Sequence, residues 1–78
     1  MQEDALKLIS AALEKVVKRS VAISLETDLI VDEILDSLDS MVFALEVEAL
    51  SGKKFPEDVD LVDLGYFRIP RLIKFLSE

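Results

Sequence analysis

Two serines set in carboxylates are the residues most able to do chemistry in this 78-residue chain: Ser37 and Ser40, in the run Asp36-Ser37-Leu38-Asp39-Ser40-Met41. A serine hydroxyl serves either as a nucleophile or as an acceptor of a transferred group, and it needs a base for the first role. The sequence contains no histidine and no cysteine, so a histidine general base, thiol chemistry, disulfide staples and the usual zinc ligand sets are all excluded. A hydrolase built on Ser37 with Asp36 or Asp39 as base also lacks the glycine pattern of a nucleophile elbow and a chain large enough to enclose a substrate. Calcium held by Asp36 and Asp39 is weaker still, because that ion takes six or more oxygens and a loop glycine is missing.

The charge distribution narrows the partners. Of the net charge of −7, the excess lies wholly in residues 20–52, which hold eight acids (Glu26, Asp28, Asp32, Glu33, Asp36, Asp39, Glu46 and Glu48) and no base. Such a surface is a poor match for nucleic acid, where binding gains from cations that displace counterions around phosphates. Anionic membrane is disfavoured for the same reason, and no stretch approaches the roughly 20 apolar residues of a membrane span. A basic patch on another protein is the natural complement, reached by salt-sensitive steering. The plainer alternative is an acidic face that is merely solvated. The acidic, polar start Met1-Gln2-Glu3-Asp4 does not read as a signal peptide, so a cytoplasmic protein is expected.

The elements that must position Ser37 are helical. Leu6, Ile9, Leu13, Val16 and Val17 recur at steps of three and four, which predicts an amphipathic helix over about 3–18. Residues 19–35 mix β-branched and polar types, with Thr27-Asp28 suggesting a turn; they read as a long ordered loop pinned by Leu29, Ile30 and Ile34. A second helix opens at Asp36, whose carboxylate suits the free amides of a first turn, and closes near Ser51-Gly52. On a 100° wheel, Leu38, Met41, Val42, Leu45 and Ala49 fall within about 60° of one direction, and Phe43, Val47 and Leu50 fall nearly opposite. Such a helix has one core face and a second that is buried or offered to a partner; in so small a domain the Leu38, Met41 and Leu45 face is expected to be at least partly exposed. Beyond Phe55-Pro56, residues 57–64 predict one short helix, and Pro70 opens a last helix lined by Ile69, Leu72, Ile73, Phe75 and Leu76. The expectation is a single domain over 1–78, all-α, a small four-helix bundle with a long loop between helices one and two and a short third helix; at 51% hydrophobic and 32% charged it has material for both core and surface.

The motif Asp36-Ser37-Leu38-Asp39, opening a helix after a long acidic loop and followed at the family's interval by Lys54-Phe55-Pro56, resembles the attachment site of the acyl and peptidyl carrier proteins. The likeness covers nearly the whole chain. It implies a protein that catalyses nothing: a phosphopantetheinyl transferase would move 4′-phosphopantetheine from coenzyme A to Ser37, flanked by Asp36 and Leu38, and the arm's thiol would hold acyl or aminoacyl groups as thioesters. It further implies that Asp36, Leu38, Asp39, Met41, Val42, Leu45 and Glu48 face partner enzymes with basic docking patches, and that the carrier works as a monomer. Placing the arm on Ser40 instead would shorten the interval to Pro56 and set Glu46 where the family has a buried apolar residue. Fatty-acid carriers usually have glycine two residues before the motif's aspartate, and often a glutamate at the place of Val42. Here the chain reads Glu33-Ile34-Leu35-Asp36, more similar to D-alanyl and other stand-alone carriers. The other class to weigh is a helical interaction module in which the motif is accidental and the Leu38, Met41 and Leu45 face is simply an interface.

Overall fold

The computed structural model describes residues 2–78 and contains three α-helices among them: α1, Gln2–Val17; α2, Ser37–Ser51; and α3, Ile69–Ser77. Each begins and ends for local reasons. Lys18 closes α1 with a positive φ of 59° and donates its amide to the Glu14 carbonyl at 2.7 Å. Gly52 closes α2 in the left-handed region, φ 73°, its amide bonded to the Glu48 carbonyl at 2.9 Å. A side chain there would be strained, and glycine avoids that cost. Pro70 sits in the first turn of α3, where a missing amide removes no helical hydrogen bond.

Packing radiates from α1, which contacts both other helices. Its Ile9, Ala12 and Leu13 are fully buried, as are Phe43 and Val47 of α2 and Ile69 and Leu72 of α3. Aromatic rings fill the end between α2 and α3: Phe55 stacks on Phe75 with centroids 4.2 Å apart, and Tyr66 meets both edge-on. Phe67 tilts against Phe43 at 6.2 Å. No helix of the described residues is long and apolar enough to cross a membrane.

The expected short helix over 57–64 does not form, so the bundle has three helices in place of the expected four. Residues 57–59 bend and 61–67 are turns. Asp60 organises one turn only: its Oδ1 accepts from the Val62 and Asp63 amides, and its carbonyl accepts from Leu64 at 3.1 Å. Asp58 upstream at φ 60° and Gly65 downstream at φ 74° bracket that turn with left-handed backbone. Val59, Val62 and Leu64 stay exposed, so no buried stripe repays the cost of nucleating a longer helix. The 18–36 connection packs against the core through its apolar residues. Leu29 is fully buried, Ile30 and Ile34 are half-buried, and Leu35 joins the core with them.

This packing separates the two faces of α2 energetically. Phe43→Ala should cost about 3–5 kcal/mol, the range for deleting a buried ring, whereas Leu45→Ala, at a position 65% exposed, should stay within about 0.5 kcal/mol. Urea denaturation of both variants reads the difference, and a larger loss in Leu45→Ala would mean that the core lies on the other face.

Candidate functional site

The start of α2 is built by Asp36. Its backbone is extended, φ −89° and ψ −175°, and its Oδ1 accepts the Asp39 amide at 2.7 Å while its carbonyl accepts the Ser40 amide at 2.9 Å. The side-chain bond satisfies one of the helix's orphan donors, and the carbonyl begins the helical ladder. The amides of Ser37 and Leu38 have no protein acceptor among the described residues, so unpaired N–H groups and the positive end of the helix dipole lie at Ser37.

The two serines differ sharply. Ser37 is exposed, whereas Ser40 is 5% exposed and donates its hydroxyl to the Ser37 carbonyl at 2.8 Å. A Ser40 hydroxyl turned back into its own helix is poorly placed to meet another protein. Ser37 therefore presents the free hydroxyl of the pair.

The loop leading into Ser37 is sewn to the segment that leads into α3. The Leu29 amide donates to the Phe67 carbonyl at 2.9 Å, and the Ile69 amide donates to the Thr27 carbonyl at 3.2 Å, the two bonds flanking an antiparallel bridge between Asp28 and Arg68. Asp28 Oδ1 accepts the Ile30 and Val31 amides at 2.9 and 3.0 Å, and its Oδ2 lies 3.4 Å from Arg68 Nε. The Leu29 carbonyl then receives both Ile34 and Leu35 amides, which sets the approach to Asp36. Glu33 makes this turn with φ 60°.

Beyond Ser37 the exposed side of α2 is apolar. Leu38, Met41 and Leu45 are 69%, 66% and 65% exposed and Val42 is 46% exposed, on the side predicted to be at least partly free. Leu50, grouped with the core by the wheel, is 48% exposed in the last turn of the helix. Asp39 is half-buried beside this face. Glu48 has another occupation: its Oε2 accepts the Phe55 amide at 2.7 Å, tying the end of α2 to the chain that follows. Glu46 pairs with Lys15 of α1 at 3.0 Å. Both acids at the far end of α2 thus have internal partners.

A cleft of about 720 Å³ opens beside Ser37. Asp36, Ser37, Ser40, Asp58 and Asp60 contribute to its lining, and Ile30, Leu35, Met41, Val59, Leu61, Val62 and Phe67 make it largely apolar. The sequence motif points to Ser37 but not to this cleft, because the cleft's far wall comes from residues 58–67, most of which the sequence assigns to a helix. Glu48 carries one signal of its different role. A carboxylate in the last turn of a helix faces the negative end of the dipole, and it is favoured there only when a donor meets it.

Compared with family models, with curated proteins and with solved structures, the chain matches none.

If capping is what Asp36 supplies, Asp36→Asn should be nearly as stable as the parent and Asp36→Ala should lose about 1 kcal/mol. Thermal or urea unfolding measures this, together with faster hydrogen exchange of the Asp39 amide in Asp36→Ala alone. Equal losses in both variants would show that charge, not the hydrogen bond to Asp39, is what the position needs.

Proposed function

We propose that this protein is a carrier of the acyl and peptidyl carrier type, bearing a 4′-phosphopantetheine arm on Ser37 and delivering thioester-bound intermediates to partner enzymes. The observation that carries the reading is the contrast at the start of α2: an exposed Ser37 hydroxyl beside two free amides, with Ser40 bonded inward. A phosphodiester anion at the first residue of a helix is favoured by those amides and by the dipole. The residues therefore fit the group. Ser37 would hold it covalently, the Ser37 and Leu38 amides would lie near its phosphate, and Asp36 would fix the turn that presents it.

The attachment balances simply. The Ser37 oxygen attacks the phosphorus that bears the pantetheine in coenzyme A, a phosphodiester forms, the adenosine bisphosphate leaves, and the hydroxyl proton passes to a base of the phosphopantetheinyl transferase. When bound, the arm supplies a thiol that this cysteine-free chain lacks, and that thiol is the atom that carries cargo. The protein itself catalyses nothing in this account. Leu38, Met41, Val42 and Leu45 supply the apolar part of a docking surface, with Asp36, Asp39 and the exposed acids Asp32 and Glu33 around it for a basic partner patch. Glu48, held by the Phe55 amide, serves that surface through the fold more than by contact. In the carrier reading, residues 57–65 stand in the place of the family's short third helix, and the chain works as a cytoplasmic monomer. The cargo is an acyl or aminoacyl group of a dedicated pathway, in keeping with Ile34-Leu35-Asp36-Ser37-Leu38 and its likeness to D-alanyl and stand-alone carriers.

A helical interaction module without a prosthetic group is the second reading, favoured by the same exposed Leu38, Met41 and Leu45 face. Intact-mass measurement after incubation with coenzyme A and a broad-specificity phosphopantetheinyl transferase distinguishes the two. The carrier reading expects a gain of one phosphopantetheine, absent in Ser37→Ala and retained in Ser40→Ala. No gain with several transferases leaves the interaction module, and loss in Ser40→Ala alone moves the site.

A further inference from the structure

A groove beside the start of α3 has only cations among its charged residues, on a molecule of net charge −7. Leu64, Gly65, Arg68, Pro70, Arg71 and Lys74 line it, in a volume of about 420 Å³. Arg68 is engaged at one edge by Asp28. Arg71 and Lys74, three residues apart on one helical face, have no carboxylate partner among the described residues. The Arg71 guanidinium lies 4.2 Å from the centroid of the Tyr66 ring, and its Nη1 is buried with no hydrogen-bond acceptor. Stacking on the ring holds the guanidinium in place before any ligand arrives, so less side-chain freedom remains to be lost on binding.

We propose that this side of α3 is a second docking surface, one that takes an acidic segment of a partner protein, with Arg71 and Lys74 meeting its carboxylates and Leu64 and Pro70 its apolar side chain. Charge complementarity selects the occupant. Glu26, Asp28 and Asp32 line the neighbouring cleft that shares Arg68 and Pro70 with this groove. A long polyanion such as nucleic acid would lie across those acids, whereas a short segment can seat on Arg71, Lys74 and Leu64, which that cleft does not include. Leu64, 50% exposed, adds the apolar contact that a purely ionic site would not need. The groove shares no residue with the cleft beside Ser37, and the proposal does not depend on the phosphopantetheine arm.

The test is a titration of the 15N-labelled full chain with the synthetic peptide acetyl-Leu-Glu-Glu-Leu-Glu-amide, followed by amide chemical shifts. Saturable shifts concentrated in residues 64–74, weakening as salt rises, are expected. The variant R71Q/K74Q should bind about tenfold more weakly or worse, the equivalent of roughly 1.4 kcal/mol. K74E, at an exposed position, should show the same direction without disturbing the stack on Tyr66. The proposal is overturned if no shifts occur, if they centre on residues 36–48, if acetyl-Leu-Gln-Gln-Leu-Gln-amide reproduces them, or if a single-stranded oligonucleotide binds the same residues more tightly.

Discussion

Leu29 is the point on which the site depends. Its side chain is fully buried, its amide donates to Phe67, and its carbonyl accepts from both Ile34 and Leu35. One residue in a long connection thus joins the core, the segment entering α3 and the turn entering α2. The direction in which Ser37 leaves the surface follows from that junction, since Asp36 comes directly after Leu35. Buried backbone groups must find partners, and here those partners sit on separate parts of the chain. The long loop is consequently a structural element in its own right, held much as a short sheet would hold it.

The chemistry of the site follows from how α2 divides its residues. Phe43 and Val47 commit one side to the core shared with α1, which leaves Leu38, Met41 and Leu45 facing out. An exposed apolar stripe is a liability in a small protein unless a partner covers it. The acids are divided as well. Asp28, Asp32, Asp36, Glu46 and Glu48 each hold a donor or cation of their own chain, while the carboxylates of Glu26, Glu33 and Asp39 have no such partner among the described residues. Glu33 and Asp39, which flank Ser37 in the sequence, are thus the nearby carboxylates left to steer a partner, and Glu46 and Glu48 at the far end are occupied with holding the fold.

Much of this is legible in the sequence. Helical spacing locates α1 to within about a residue at each end, Asp36 and Gly52 mark both ends of α2, and the wheel alone separates Phe43 from Leu45. Those features are local, fixed by capping chemistry and periodicity. The rest depends on contacts between distant segments. Acids at the start of 57–64 and Gly65 after it suggest a helix, yet Asp58 and Gly65 adopt left-handed backbone, and Val59, Val62 and Leu64 between them are exposed. The carrier resemblance implies that Glu48 faces a partner, and only the fold brings the Phe55 amide, seven positions on, to its carboxylate. Ser40 is nearly the equal of Ser37 by neighbouring residues, and its inward hydrogen bond is what distinguishes them.

The central claim is that the exposed hydroxyl at the start of α2 is a point of attachment. Tandem mass spectrometry of the protein purified from the cells that make it addresses this directly, through the tryptic peptide spanning residues 20–53, which contains both Ser37 and Ser40. The account predicts a peptide that releases a pantetheine fragment on activation, with backbone fragments assigning the added phosphodiester to Ser37. A fully unmodified peptide from cells with an active phosphopantetheinyl transferase, or assignment to Ser40, would contradict it.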